Sequence, residues 1–296
     1  MNESSSPENK GAANPEGHEK ISYTAIGVAH ARTFSNIPYS QEIAEICDTD
    51  QLTEDSKEMH HQLSPFFEGR FHAVTNLLEQ SGVKNILEVG AGISPRGLMM
   101  SKDPGIHYVE TDLPEMLHQK EMVLQRLLEK ENMPMPTNLS SDALNILDAS
   151  AFERIVDQFP EGPIAIVHEG VLVYFMRDEK EKFAKIVHAA LAKRGGVWIT
   201  TDILTREDLL RNMPTKQIKD SVDDVVKNTG RDYTDAAFVD TEDAQKFFDD
   251  LGFTFTIQTF KETAGELGST EIGLDPEFVE NQLAGTIWTL RVKEAV

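Results

Sequence analysis

Polar motifs with the residue types of a ligand site follow four apolar runs of the 296-residue chain. The four motifs lie at or just after the ends of these runs. They are Glu88-Val-Gly90-Ala-Gly92, Glu110-Thr-Asp112, Ser141-Asp142 and His168-Glu169-Gly170. Glycines let backbone N–H groups approach a ligand closely, and a carboxylate about 20 residues later can accept hydrogen bonds from ribose hydroxyls. Singly, each motif also fits a tight turn, a cap of the helix beginning near Pro114, or an exposed loop charge. Their recurrence indicates a nucleoside-binding site.

The glycine motif does not complete the dinucleotide fingerprint G-x-G-x-x-G. The position of the third glycine holds Pro95, and the next glycine is Gly97. This departure disfavours NAD and FAD as cofactors, and a nicotinamide-dependent oxidoreductase on a similar sheet is kept as an alternative.

Strands and helices alternate through the middle of the chain. Apolar runs predict strands at residues 85–90, 106–111, 137–140, 163–168 and 197–201, and helical spacing predicts helices at 115–130, 150–158 and 178–193. Strands at 253–260 and 285–292, with no full helix between them, suggest an antiparallel pair. The predicted fold class is α/β: a Rossmann-like, seven-stranded, mostly parallel sheet with helices on both faces and an antiparallel C-terminal strand.

We expect one domain over residues 21–296, preceded by a disordered tail at 1–20 that is rich in Ser, Asn, Pro, Gly and Glu. Residues 21–82 would form an N-terminal helical cap, with helices from Ser22 to Arg32 and from Pro65 to Gln80. Residues 203–240 would form a helical lid insertion, helical over 206–229 with a break near Pro214.

The charge balance excludes several classes of protein. The chain has 28 Lys and Arg against 50 Asp and Glu, a net charge of −22. This disfavours nucleic acid and anionic membranes as partners, although a small basic pocket remains compatible with it. The sequence has no apolar run of about 20 residues and no secretion signal at its start, so a cytoplasmic protein is expected.

Metal and disulfide chemistry are not predicted. Cys47 is the single cysteine, which excludes an intrachain disulfide and a Cys-rich metal site. His60, His61 and His72 have no acidic or cysteine partner at the helical spacing of metal ligands, so we predict no metal site.

Taken together, the motifs resemble class I S-adenosylmethionine (AdoMet)-dependent methyltransferases, and more narrowly the leucine carboxyl methyltransferase family with its tetracenomycin-type polyketide O-methyltransferases. The resemblance covers about residues 22–202. It rests on the sequences Thr24-Ala25, Ala31-Arg-Thr33, Pro38-Tyr39-Ser40, Pro65-Phe-Phe-Glu-Gly-Arg70, Glu88-Val-Gly-Ala-Gly92, Tyr108-Val-Glu-Thr-Asp-Leu-Pro114 and Glu169-Gly-Val-Leu-Val-Tyr174. Ala143 stands where relatives often have leucine. Ser94-Pro-Arg96 replaces the Asp-Thr-Arg of the carboxyl methyltransferase branch and suits the polyketide-type branch.

The resemblance implies a role for individual residues in binding AdoMet. Gly90 and Gly92 would lie close to the methionine moiety, and Asp112 would hold the ribose hydroxyls. Asp142 would bind the adenine amino group, and Glu169 would face the methionine ammonium. Arg70 and Arg32 would pair with the methionine carboxylate, a task suited to arginine in so acidic a chain. The implied cofactor site also includes Glu88, Leu113 and Ala143.

The expected activity is transfer of a methyl group from AdoMet to an oxygen, carboxylate or hydroxyl, of a small-molecule acceptor, leaving S-adenosylhomocysteine (AdoHcy). Alignment of the acceptor and exclusion of water would supply the catalysis, without a metal. There are two candidate catalytic residues: His168 is equally compatible with a core position, and for Tyr174 the core position is favoured over a catalytic role. Carboxyl methylation of a protein C-terminus and non-catalytic AdoMet binding are kept as alternatives. The sequence specifies neither the acceptor nor the oligomeric state.

Overall fold

The computed structural model describes residues 23–211 and 236–294. Its centre is a seven-stranded sheet in the order β3-β2-β1-β4-β5-β7-β6. The strands are β1 (Asn85–Val89), β2 (His107–Asp112), β3 (Leu139–Ala143), β4 (Ile164–His168), β5 (Gly196–Thr200), β6 (Phe253–Thr259) and β7 (Thr286–Val292). Strands β1 to β5 pair in parallel, and β7 is antiparallel to both β5 and β6. The predicted fold class is confirmed.

Helices cover both faces of this sheet. In chain order they are α1 (Tyr23–Arg32), α2 (Ser40–Ile46), α3 (Glu54–Gln62), α4 (Ser64–Ser81), α5 (Arg96–Met100), α6 (Pro114–Glu131), α7 (Ala149–Val156), α8 (Arg177–Arg194), α9 (Arg206–Arg211), α10 (Thr241–Asp250), α11 (Phe260–Thr263) and α12 (Pro276–Leu283). Short 3₁₀ turns span Thr49–Gln51, Leu172–Tyr174 and Gly268–Glu271.

The alternation of side chains along the strands divides the core into two layers. On one face, Leu87 and Ile166 pack with side chains of α7, α8 and α10. On the other face, Ile86 and Val167 pack with side chains of α1, α4 and α6. Glu88 alternates with Leu87, so its carboxylate enters the second layer, beneath α4.

Most predicted elements are found within one or two residues of their expected bounds. The helix expected from Pro65 to Gln80 is α4, which ends at the left-handed Gly82 (φ +66°). The third strand lies at Leu139–Ala143 rather than at residues 137–140. It is the edge strand of the sheet and is half exposed, so no apolar run marks it.

Three helices differ from the expectations. The sequence analysis did not predict α2 and α3; α3 has the polar sequence Glu-Asp-Ser-Lys-Glu-Met-His-His-Gln and begins at a Thr53 cap. The expectation of no full helix between the last two strands was wrong, because α12 lies there and begins at an Asp275 cap. The strands nevertheless pair antiparallel, as expected.

Some expected segments lie outside the described residues. These are the disordered tail at 1–20 and most of the 203–240 insertion, including the break at Pro214. The first turns of that insertion form α9, as predicted. Division of the chain into cap, domain and lid remains a prediction.

Candidate functional site

A cavity of about 690 Å³ opens at the carboxyl ends of β1, β2 and β4, the edge at which open α/β sheets bind ligands. Of the predicted site residues, Arg32, Arg70, Glu88, Gly90, Gly92, Asp112, Leu113, Glu169 and Tyr174 line it. Asp142, Ala143 and His168 are not among its lining residues. A groove of about 810 Å³ between the end of α6 and β3 contains none of the predicted site residues.

The turn after β1 requires its two glycines. Gly90 and Gly92 have φ angles of +65° and +50°, in the left-handed region that side chains disfavour. A Cβ at Gly90 would lie 2.4 Å from Val171 Cγ2, because the loop after β4 packs directly against the turn. A Cβ at Gly92 would meet no atom within 4 Å, so this residue presents open backbone to the cavity.

Asp112 links the end of β2 to the glycine turn. Its Oδ2 accepts a hydrogen bond from Gly92 N at 2.8 Å, and its Oδ1 accepts one from Leu113 N at 2.8 Å. Burial raises the pKa of Asp112, and the two N–H donors oppose that rise. The cap position of α6 is Leu113, so Asp112 precedes it and orders the turn instead of capping the helix.

Asp142 and Ala143 end β3 beside Asp112 but outside the cavity lining. Thr111 and Asp112 are their register partners on β2, and Leu144 N donates to the backbone oxygen of Asp112 at 2.9 Å. The Asp142 carboxylate accepts a 3.4 Å hydrogen bond from Gln158. The residues that follow, Leu144 and Asn145, do line the cavity.

A buried network of alternating charges lies beneath the cavity. Arg96, at the start of α5 and fully buried, contacts the carboxylates of both Glu88 and Glu169. Glu169 Oε2 accepts a second, 3.0 Å hydrogen bond from Arg70 Nε. Glu88 Oε2 accepts one from the Tyr108 hydroxyl at 2.8 Å. The carboxylate predicted to face a ligand ammonium therefore also holds two arginines in place.

Arg96 is the functional candidate that the sequence analysis missed. Its Nε donates to Thr75 Oγ1 at 3.1 Å and its Nη2 donates to the Phe71 carbonyl at 3.3 Å, so it ties α4 to β1 and to the loop after β4. A signal was available, because Arg96 directly follows the glycine turn in the sequence Ser94-Pro-Arg96.

Arg32 differs from the other two arginines in having a charge without a carboxylate partner among the described residues. It is 8% exposed, its Nε makes no hydrogen bond there, and its guanidinium lies 5.4 Å from the centre of the Phe71 ring. Burial, together with the charges of Arg70 and Arg96, lowers its pKa to about 9. A buried cation of this kind on a cavity wall is suited to an anionic group of a ligand.

His168 lies in the core. It is fully buried, its Nε2 accepts a 2.9 Å hydrogen bond from Trp198 Nε1, and its Nδ1 lies 2.9 Å from Asp202 Oδ2. Because Nε2 accepts a hydrogen bond from Trp198, the ring proton of His168 is assigned to Nδ1. This geometry matches the structural alternative for His168. Tyr174 lies in the 3₁₀ turn after β4 and reaches the cavity wall.

Asp202 was also missed, although it continues the pattern of carboxylates at strand ends by following β5. Besides His168, it accepts hydrogen bonds of 2.7 to 3.0 Å from the backbone N–H groups of Gly170, Val171 and Leu172. Burial opposes ionisation, but the hydrogen bonds from the His168 ring and the Val171 N–H, together with the charge of Arg70, lower the pKa of Asp202 to about 2. Asp202 thus fixes the loop that carries Glu169.

Among the described residues, no group of three or more His, Cys, Asp or Glu is placed to hold a metal ion. None of the described helices is both long and apolar enough to cross a lipid bilayer.

Three solved structures, two of them described as methyltransferases, share this fold. A candidate methyltransferase from Thermobifida fusca YX matches 95% of this chain and 98% of its own at 16% identity, with a TM-score of 0.56. A DUF574 family protein from Streptomyces avermitilis MA-4680 matches 90% and 97% at 14% identity, with a TM-score of 0.52. The methyltransferase domain of bacterial CtHen1-C matches 78% and 100% at 14% identity, with a TM-score of 0.50.

Sequence comparison gives the family. No protein with a curated description matches the chain. The sequence profile of the leucine carboxyl methyltransferase family matches residues 29–188, which is more than half of the 296 residues. The matched region runs from the last turn of α1 and includes the glycine turn, Asp112 and Glu169. This chain therefore belongs to the leucine carboxyl methyltransferase family.

Proposed function

We propose that the protein is an AdoMet-dependent O-methyltransferase that acts on a small-molecule acceptor. The observation that carries the proposal is the cavity at the strand ends, whose wall includes Asp112, the open backbone of Gly92 and the buried Arg32, which has no carboxylate partner among the described residues. AdoMet has a ribose, an ammonium and a carboxylate, and each of these groups has a matching side chain on the cavity wall.

Individual residues take the following parts in the proposed binding mode. Asp112 accepts hydrogen bonds from the ribose hydroxyls, with Leu113 beside it, and the turn at Gly90 and Gly92 admits the methionine moiety. Glu169 holds the ammonium. Arg32 pairs with the carboxylate, and Arg70 approaches it from the Glu169 ion pair. Asp142 and Ala143, which directly precede Leu144 in the chain, contribute to the part of the site that binds adenine.

The chemistry asks little of the protein beyond placement. AdoMet supplies a methyl group on a sulfonium, which is already an activated leaving group, so the proposal includes no metal. The protein holds the acceptor oxygen in line with the methyl group and excludes water, and such positioning can account for several orders of magnitude in rate.

Calorimetric titration with AdoMet, AdoHcy and NAD tests the proposed cofactor. We expect micromolar binding of the first two ligands and weakening of about 10- to 100-fold in Asp112→Ala, since a charged hydrogen bond contributes roughly 1.5–3 kcal/mol. Asp250→Ala is the matched control, because Asp250 is exposed at the end of α10 and forms a surface pair with Lys246. Binding of NAD in place of the adenosyl ligands would favour an oxidoreductase and refute the proposal.

A carboxylate on a protein C-terminus is a second candidate acceptor, favoured by the name of the family. Mild alkali distinguishes the products, because it releases methanol from a methyl ester and leaves a methyl ether intact. Methylation of nitrogen or carbon would contradict both candidates. Bound AdoMet with no product across a panel of acceptors would favour a non-catalytic binding protein.

A further inference from the structure

Much of the cavity wall is apolar. Its side chains come from α1, α3, α4 and the segments after β4 and β5, and they include Val28, Leu63, Phe66, Phe67, Val173 and Leu204. Aliphatic and aromatic walls of this kind bury the hydrocarbon body of a ligand. Arg32 and Arg70, which the proposed function assigns to the AdoMet carboxylate, lie on the same helices, so the apolar side chains around them are available to contact the acceptor.

No arginine at the cavity is left to pair with a carboxylate of the acceptor. Arg70 pairs with Glu169, and Arg96 pairs with both Glu88 and Glu169. Arg32 is left for the carboxylate of AdoMet. An acceptor carboxylate would have to lose its water against the apolar wall, which is unfavourable for a charged group, whereas a neutral hydroxyl avoids most of this penalty.

His60 is placed on this wall as a proton acceptor. It is 7% exposed, lines the cavity and stacks on Phe67 with ring centroids 6.3 Å apart. Its Nδ1 lies 2.8 Å from the Ser56 carbonyl oxygen, which can only accept, so Nδ1 carries the proton and Nε2 has the free lone pair. Gly27 makes room for the ring, because a Cβ there would lie 2.1 Å from Nε2.

The surroundings keep this imidazole neutral. Burial lowers the pKa of His60; the hydrogen bond to Ser56 opposes the shift, and the charge of His30 on α1 adds to it. On α4, the cation Arg70 contacts the Phe67 ring on which His60 stacks, with its guanidinium 5.3 Å from the ring centre. A neutral histidine can accept a proton at neutral pH.

We propose that the acceptor is an apolar aromatic molecule methylated on a neutral hydroxyl, with His60 as the residue that takes the hydroxyl proton. This inference rests on the proposed function. The hydroxyl oxygen forms a bond to the methyl carbon while the S–CH₃ bond breaks and its electron pair stays on sulfur. The proton passes to His60 Nε2 and then to water, so one acceptor and one AdoMet give a methyl ether, AdoHcy and one proton.

A matched pair of probes tests the acceptor class. 4-Phenylphenol and 4-phenylbenzoate share an apolar biphenyl body and differ in the group that would receive the methyl. With AdoMet, we expect the methyl ether to form at least tenfold faster than the methyl ester. Faster ester formation would overturn the hydroxyl inference and leave O-methylation standing. Failure of AdoMet and AdoHcy to bind would instead refute the proposed function.

If neither probe is methylated, the affinities of the two probes test the inference. Calorimetry in the presence of AdoHcy should show tighter binding of 4-phenylphenol than of 4-phenylbenzoate. Tighter binding of the carboxylate, or no binding of either probe, would overturn the inference.

His60→Gln tests the proton acceptor, with His61→Gln as the control. His61 is the next residue of α3 and packs its ring on Phe34, 4.5 Å between centroids. At pH 7 we expect His60→Gln to lower the rate of ether formation about 100-fold, within the range for general bases, and to leave AdoHcy binding unchanged. The loss should shrink roughly tenfold per pH unit towards the phenol pKa of about 10, because ionised phenol needs no base. A loss that does not vary with pH would contradict the role.

Discussion

Replacing Arg96 with methionine should sharply destabilise the protein, because it leaves two buried carboxylates without their shared cation. Arg96 is 0% exposed, and Glu88 and Glu169 both contact its guanidinium. Methionine fills much of the same space without charge. Breaking a buried ion pair from one side costs roughly 3–5 kcal/mol, so the free energy of unfolding should fall by about that amount.

The structure also predicts how this loss responds to a second change. Glu88→Gln removes one of the stranded charges and keeps the acceptor oxygen for the Tyr108 hydroxyl. The double variant should therefore be more stable than the sum of the single effects implies, with a coupling energy of about 1–3 kcal/mol. The hydrogen bonds of Arg96 to Thr75 and Phe71 stay broken, so full recovery is not expected.

Urea unfolding followed by tryptophan fluorescence is a direct assay. Trp198 and Trp288 are the two tryptophans of the chain, and both are buried in the sheet. Arg177→Met is the control, because Arg177 forms a two-pronged pair with Asp243 at 2.8 and 2.9 Å on the surface. Exposed pairs contribute about 0–1 kcal/mol. Equal effects of the two substitutions, or strict additivity of Arg96→Met with Glu88→Gln, would refute the reasoning.

Two further predictions concern the glycine turn and Asp202. Gly82 and Gly90 both have φ near +65°, so replacing either with alanine should lower the free energy of unfolding, by about 1–2 kcal/mol at Gly82. The loss should be larger for Gly90→Ala, because only there would the new methyl group meet Val171. Equal losses in urea unfolding would show that the Val171 contact carries no energy. Asp202 has a folded pKa of about 2, below its ordinary value of 3.8, so its ionisation stabilises the fold by about 2 kcal/mol above pH 4, and this contribution is lost as the pH falls towards 2. The stability gap between wild type and Asp202→Asn should therefore narrow between pH 7 and pH 3, and a constant gap would contradict the lowered pKa.

The sequence predicts the central parallel strands well because their signal is local. Buried parallel strands appear as continuous apolar runs, and β1 and β4 have every residue buried. The glycine turn and Asp112 were placed by the same logic, since parallel strands bring their carboxyl ends to one edge of the sheet. Edge strand β3 and polar helix α3 lack an apolar run, so their positions depend on pairing and packing that no single segment reveals.

The charge network could not be predicted because its contacts join distant parts of the chain. Arg96 reaches Glu88, Thr75 and Glu169, which are 8, 21 and 73 residues away. Only the folded sheet, with α4 across one face, brings these side chains together. Spacing in the sequence identified Glu88 and Glu169 as separate strand-end carboxylates and could not show that one arginine lies between them.

Net charge and local charge are independent properties of this chain. The total of −22 disfavours large anionic partners, since these meet the whole surface. The cavity is different. The buried Arg32 and Arg96 and the half-buried Arg70, on α1, α5 and α4, act at a few ångströms, where their charge outweighs that of distant surface carboxylates. Glu88 and Glu169 hold two of these arginines, and Arg32 remains for a ligand. Under the proposed function, Arg32 is therefore the arginine that pairs with the ligand carboxylate, and the overall negative charge of the protein does not oppose this pairing.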